Sequence, residues 1–178
     1  MSKTEIYDLH HEDAKKSFRN AMASLSAAVN VITTDGPAGM VGLTATAVTS
    51  ITDTPPTILV SINRNSGTNP VFKANRKLAV NILASTQIEI AEHFAGRHRT
   101  TMSERFEKFP FKRGKFDLPI LEGALANLEG TIVAVHEVGT HSLLIVELDE
   151  IIQRESGDGL VYFARRFHRL PREIKEEE

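Results

Sequence analysis

Apolar and polar positions along the chain change period several times, and each change marks an element. Phe18, Ala21, Met22 and Leu25 recur at helical spacing among Ala and Lys, which predicts a short amphipathic helix whose apolar face caps a core. From Val29 to Thr34 the texture becomes β-branched. The turn Asp35-Gly36-Pro37-Ala38-Gly39 then leads into a second strand, Met40 to Thr52, making a hairpin. Thr54-Pro55-Pro56-Thr57 ends that strand, because neither proline can donate to a ladder, and Ile58 to Ile62 starts another. Asn69-Pro70 opens a one- or two-turn helix, with proline where its missing N–H costs nothing. Leu78 to Leu83 reads as a strand.

Thr86-Gln87-Ile88-Glu89 has the form of a capping box, and Gly96 is the stop of the helix it opens, with Ile90 and Phe94 on the buried face. Arg97 to Asp117 is charged, aromatic and irregular, and is expected to be a mobile functional loop or lid. Three further strands follow, Ala124 to Val135, His141 to Ile152 and Leu160 to Phe163. They are separated by turns at Gly139 and at Ser156-Gly157-Asp158-Gly159.

Many short strands with few helices predict a mainly β architecture, a closed or split antiparallel Greek-key barrel with a few peripheral helices. At 178 residues the chain suits one such unit, expected over residues 14–170, with a flexible leader at 1–13 and a charged tail at 171–178. The leader carries His10 and His11 but no apolar stretch of the kind a secretory signal needs.

Charge and composition narrow the chemistry. Lys and Arg total 21 against 23 Asp and Glu, so no global field draws nucleic acid or an anionic membrane, and no stretch approaches the ~20 apolar residues of a bilayer span. Cysteine is absent, which removes thiol nucleophiles and disulfides and fits a reducing compartment, so a cytoplasmic location is expected. Neither Gly-x-Gly-x-x-Gly nor Gly-x-x-x-x-Gly-Lys-Ser/Thr occurs, and the histidines lack ligand spacing, so no metal site is expected.

The run Gly42-Leu43-Thr44-Ala45-Thr46-Ala47-Val48-Thr49-Ser50 stands apart. A solvent-facing strand normally carries large or charged residues outside, whereas here both faces are small, so a flat ligand can approach the backbone. A tight strand seam in a dimer explains the same texture. Downstream, Ser61 to Pro70 runs from a strand end into a helix start with Arg64, Ser66 and Thr68 together, a phosphate-binding arrangement or an ordinary capped loop.

Taken together, FRNAMASLSAAVNVITT, GLTATAVTSITDTPPTILVSINRNSGTNPVF, VNIL, EHFAG, LANLEG, GTHSLLIVEL and YFARRFH resemble the short-chain flavin reductases that supply two-component monooxygenases. The likeness runs in order from Phe18 to His168. It implies a flavin-binding split barrel, a homodimer, that takes hydride from NADH and releases reduced FAD or FMN by diffusion to a partner oxygenase, here an aromatic hydroxylase of the 4-hydroxyphenylacetate type. By the same resemblance Thr44, Ala45, Thr46, Ala47 and Val48 line the isoalloxazine. Ser61, Ile62, Asn63, Ser66 and Thr68 hold the ribityl and phosphate groups. Asn81, Ile82 and Leu83, with Phe94, Ala95 and Gly96, close the pocket.

On the nicotinamide side the resemblance implies His141 and the strand end Tyr162-Phe163-Ala164-Arg165. Many relatives read Gly-Asp-His where this chain has Gly139-Thr140-His141, so a hydroxyl stands in for a carboxylate beside the imidazole. Arg165 and Arg166, as strand neighbours, are expected on opposite faces, with Arg165 toward the dinucleotide phosphates. Arg97, His98 and Arg99 form a basic cluster that is either a phosphate contact or a solvated loop face. Hydride transfer needs no protein nucleophile, so missing catalytic motifs are expected. The same barrel without turnover is a flavin carrier or sensor, and NADH-dependent flavin reduction separates the two.

Overall fold

A computed structural model describes residues 13–172; the expected leader, apart from its last residue, and most of the charged tail lie outside them. The elements in chain order are α1 (Ala14–Met22), β1 (Ala27–Ala28), β2 (Asn30–Thr34), β3 (Val41–Ala45), β4 (Val48–Asp53), β5 (Pro56–Asn63), α2 (Asn69–Asn75), β6 (Lys77–Ile82), α3 (Ile88–Phe94), α4 (Met102–Lys108), β7 (Phe111–Arg113), β8 (Pro119–Leu121), β9 (Ala126–Val138), β10 (His141–Gln153), β11 (Gly159–Phe163) and β12 (Arg166–Leu170). Among the described residues no helix is long and apolar enough to cross a membrane.

Seven strands form one sheet in the order β3-β2-β6-β9-β10-β5-β4. Its two edges, β3 and β4, are consecutive in the chain and joined only by Thr46 and Ala47. In a flat sheet six strand spacings would hold those edges ~29 Å apart. Two linking residues reach ~11 Å at most. The sheet must therefore curl until its edges meet, and Thr46–Ala47 closes it. This is the split barrel. A run expected as one strand, Met40 to Thr52, is thus two: pairing of β3 with β2 ends at Ala45, and pairing of β4 with β5 begins at Val48.

The strand period of two sorts side chains into two main cores, beside a small third cluster of Ala79, Leu118 and Ile120. Ile32, Ile58, Val60, Ile62, Leu78, Val80, Ile132, Leu144 and Val146 fill the barrel with Phe72 of α2. Val29 and Val31 face the other way and pack with Leu83, Ile90, Phe94, Phe106 and Leu160. Ile90 and Phe94 are buried as expected.

Four local expectations need correction. The box expected at Thr86 does not form: Gln87 precedes α3, and its side chain instead accepts from Ala84 N–H (3.0 Å) and donates to Glu122 O (3.0 Å). Arg97 to Asp117 is not an irregular loop, since it contains α4 and β7. There a capping box does form, with Glu104 N–H on Thr101 Oγ1 and Thr101 N–H on Glu104 Oε2. Phe106 pins α4 by edge-on contact with Phe94 and Phe111. The apolar face of α1 caps no core of its own chain: Ser17 is its one buried residue, while Phe18 is 61% and Leu25 beyond its end 59% exposed. Arg165 and Arg166 are not strand neighbours, because Ala164 and Arg165, at φ 48° and 62°, form a two-residue hairpin turn between β11 and β12.

Candidate active site

The closure link is also the floor of a cleft of about 400 Å³. The cleft is lined by Leu43, Thr44, Ala45, Thr46 and Ala47, by Ser61, Ile62, Asn63 and Ser66, by Phe94 and Ala95, and by His141. A volume of this order suits a flat, drug-sized ring system.

Each wall has a local cause. Thr44 Oγ1 donates to Ala91 O (2.7 Å), fastening β3 to α3 and so setting Phe94 and Ala95 opposite the link. Asn30 Nδ2 donates to Ala45 O (3.2 Å), and Ser61 N–H donates to Ala47 O (3.0 Å). The link is thereby held at both ends while the N–H groups of Thr46 and Ala47 fall outside both ladders. Small side chains leave this backbone open to a ring. His141 starts β10 directly across from Asn63 of β5, so the ladder itself brings the imidazole to the cleft.

The loop after β5 is organised differently from the sequence expectation. Arg64 N–H donates to Thr140 O, Asn65 N–H to Asn63 Oδ1, Ser66 N–H to Asn63 O, and Asn69 N–H to Ser66 O. Pro70 has no N–H, and Val71 N–H is taken by Thr68 O. Between Arg64 and Val71 most amides are thus already bonded, and Gly67 N–H is the one without a protein partner among the described residues. Hydroxyls remain: Ser66 Oγ faces the cleft and lies 2.7 Å from Thr68 Oγ1. Arg64, expected as a phosphate donor, pairs instead with Glu137 (3.3 Å). Lys73 pairs with the same carboxylate. Hydrogen bonds from Lys73 and then Ser142 hold the Glu137 carboxyl below its ordinary range.

Of the other expected site residues, Val48 packs against the barrel core and faces a groove with Leu25 and Ala27. Thr68 and Gly96 border the cleft without lining it. Asn81, Ile82 and Leu83 are not among the residues lining the cleft. Asn81 is fully buried, donates to Val31 O (2.8 Å) and accepts from Leu121 N–H (2.8 Å) and Asn127 Nδ2 (2.7 Å), a bonding pattern that cross-links strands. Ile82 packs on the barrel core and Leu83 lies in the outer one.

Tyr162, Phe163, Ala164 and Arg165 also lie outside the cleft. Tyr162 and Arg165 line a separate groove of about 460 Å³ beneath Thr46 and Ala47, with Phe18, Met22 and Leu25. Arg165 donates to Asn20 of α1. In the basic cluster, Arg97 pairs with Glu92 (3.2 Å) and sits over Phe167. Sequence reasoning missed Leu43 as a lining residue and Glu137 as an anchor. Leu43 lies inside the small-sided run and could have been found there, whereas nothing in the sequence marks Glu137.

The match to known proteins decides what this site belongs to. A family model described as a flavin reductase like domain matches residues 22–171. The chain belongs to the flavin reductase family. The 4-hydroxyphenylacetate 3-monooxygenase reductase component of Pseudomonas aeruginosa is 57% identical over 159 residues, covering 89% of this chain and 94% of that one. The FMN reductase (NADH) RutF of Cronobacter sakazakii is 45% identical over 160 residues, 90% and 95% of the two chains. Among solved structures, a flavin reductase of Haemophilus somnus superposes with a TM-score of 0.83 at 38% identity, covering 87% of this chain and 98% of that one.

Proposed function

We propose that this flavin reductase oxidises NADH with FAD or FMN and releases the reduced flavin, by diffusion, to a separate monooxygenase of the 4-hydroxyphenylacetate type. The observation that carries the reading is the cleft itself, in which an open backbone link, a hydroxyl-bearing loop, an aromatic wall and an imidazole converge. The donor set fits a flavin: the link presents main-chain groups to a ring edge, and the alanines at 45, 47 and 95 leave room for its plane. Ser61, Asn63 and Ser66 offer polar atoms to the ribityl chain and phosphate.

Bound flavin supplies the hydride acceptor, and the cofactors carry the redox chemistry. The protein's part is to hold and orient. Phe94 and Ala95 shield one side from water, and His141 offers a ring nitrogen at the nicotinamide side. Thr44 to Ala47 fix the ring through main chain rather than charge, which suits a flavin that must leave. Residues 14–170 act as this one unit, in the cytoplasm.

The enzyme is a homodimer in this reading. The mainly apolar groove under the closure link, with Phe18, Met22 and Leu25 exposed on its rim, is the surface a second copy covers. Anaerobic mixing of the purified protein with NADH and each flavin tests the function: bleaching of the oxidised flavin is expected. No NADH oxidation above the uncatalysed rate with FAD or FMN overturns it, and saturable flavin binding without bleaching leaves a carrier.

A further inference from the structure

The β9–β10 turn that carries His141 is braced by the residue that follows β5, its neighbour in the sheet. Arg64 N–H donates to Thr140 O (2.9 Å), and its Nη1 donates to Gly139 O (3.3 Å). Its Nε pairs with Glu137, the last but one residue of β9, which also takes Lys73 of α2 and the Ser142 hydroxyl (2.8 Å). The charged groups around the turn thus satisfy one another. On this braced turn Thr140 Oγ1 lies 2.9 Å from His141 Nδ1.

We propose that Thr140 is a positioning residue for the reaction: its hydroxyl donates to Nδ1 of a neutral His141, leaving Nε2–H as the ring's hydrogen-bond donor at the cleft. The inference rests on the flavin reductase reading. When NADH loses its hydride the nicotinamide becomes a cation, and an imidazolium at its side would repel the product as it forms. A carboxylate next to Nδ1 would favour that imidazolium, whereas a hydroxyl fixes the ring without adding charge. With Nδ1 engaged, the rotamer and the tautomer are set by one contact, and the remaining N–H can donate to a carboxamide or flavin carbonyl oxygen.

The test uses full-length Thr140→Val, which keeps the shape and removes the hydroxyl, and Thr140→Ser, which restores it. Thr140→Val is expected to raise KM for NADH about 3- to 10-fold, the scale of one hydrogen bond, with KM for flavin unchanged. Thr140→Ser is expected to recover most of that loss. Ring ¹⁵N shifts of His141 in the wild type should report a bare Nδ1 and a protonated Nε2. An unchanged KM for NADH in Thr140→Val, equal impairment of both variants, or a proton on Nδ1 overturns the proposal. A wild type that oxidises no NADH overturns the enzyme reading instead, and the ¹⁵N spectrum still decides the tautomer.

Discussion

The ring of Phe94 lies against the bare Cα of Gly42: a Cβ at that position would come 2.7 Å from Phe94 Cε1 and 3.3 Å from Ile32 O. Phe94 cannot step aside, because Phe106 and Phe111 abut it edge-on at 5.2 and 5.7 Å between centroids. Phe94 is also a wall of the cleft. Gly42→Ala should therefore cost ~1–3 kcal/mol of stability by overpacking and weaken flavin binding at the same time. Denaturant melts and flavin fluorescence quenching measure both, and normal quenching in this variant would uncouple Phe94 from the cleft.

Ala45 and Thr46 should respond differently although they are neighbours. A branched side chain at 45 fills the space over the open backbone, so Ala45→Leu is expected to abolish flavin quenching, whereas Thr46→Ala leaves the main chain as it is and should stay within a fewfold of the wild type. If Ala45→Leu bound flavin normally, the ring would have to sit elsewhere and the link would be a seam alone.

Acid should loosen α4 before it touches the rest of the barrel. His93 is buried, stacks on His98 (4.0 Å between centroids), meets Phe109 edge-on, and lies 3.2 Å from Lys108 Nζ and 3.8 Å from Glu89. Burial first, then the charges of His98 and Lys108, hold its pKa below the ordinary imidazole value. The unfolded chain then takes up the proton first, so this stabilisation is complete above about pH 6.5 and is lost as pH falls through the lower folded value. A Tm that is flat above pH 7 and declines as pH falls below about 6.5 is expected, with a shallower decline in His93→Gln. Glu89, Glu104, Glu137 and Asp158, all lowered by hydrogen bonds, act only below about pH 4.5, a separate window.

Removing the cap of α4 should be mild, and removing its anchor should not. Thr101→Ala removes the hydroxyl arm of the capping box while its backbone N–H can still reach the Glu104 carboxylate, and is expected to cost ~1 kcal/mol. Phe106→Ala empties an aromatic site shared with Phe94 and is expected to cost ~3–5 kcal/mol. Equal losses in urea melts would mean that α4 is held by its end rather than by its ring.

A charge on the exposed apolar rim should separate the subunits. Leu25→Glu or Met22→Glu is expected to shift the mass in light scattering from two chains to one, while a wild type that runs as a monomer would remove the proposed dimer.

What could be read from the chain followed the strength of local periodicity. The alternation in Ile58 to Ile62 and the hairpin at Asp35 to Gly39 needed nothing beyond neighbours in sequence, and both stand where expected. The division of Met40 to Thr52 did not show, because the break at Thr46–Ala47 is imposed by closure of a sheet whose edges are far apart in pairing order. The helix at Met102 was hidden by its charges, although Thr101 and Glu104 carry the same spacing that drew attention, wrongly, to Thr86 and Glu89. Asn81 entered the expected site only through the family resemblance, and its burial and strand-bridging partners could not be read from the sequence. Leu43 to Ala47 of the small-sided run, by contrast, do line the cleft, and there the N–H groups of Thr46 and Ala47 lie outside both ladders.

The double duty of Thr46 and Ala47 has an evolutionary consequence. The two residues that would seat the ring are also the clasp of the barrel, so any lengthening or reshaping of the seat must reopen the fold that supports it. A change of flavin or nicotinamide preference is therefore expected to come most readily from positions such as Ser66, Ala95 and Thr140, where a side chain can change without unfastening the clasp.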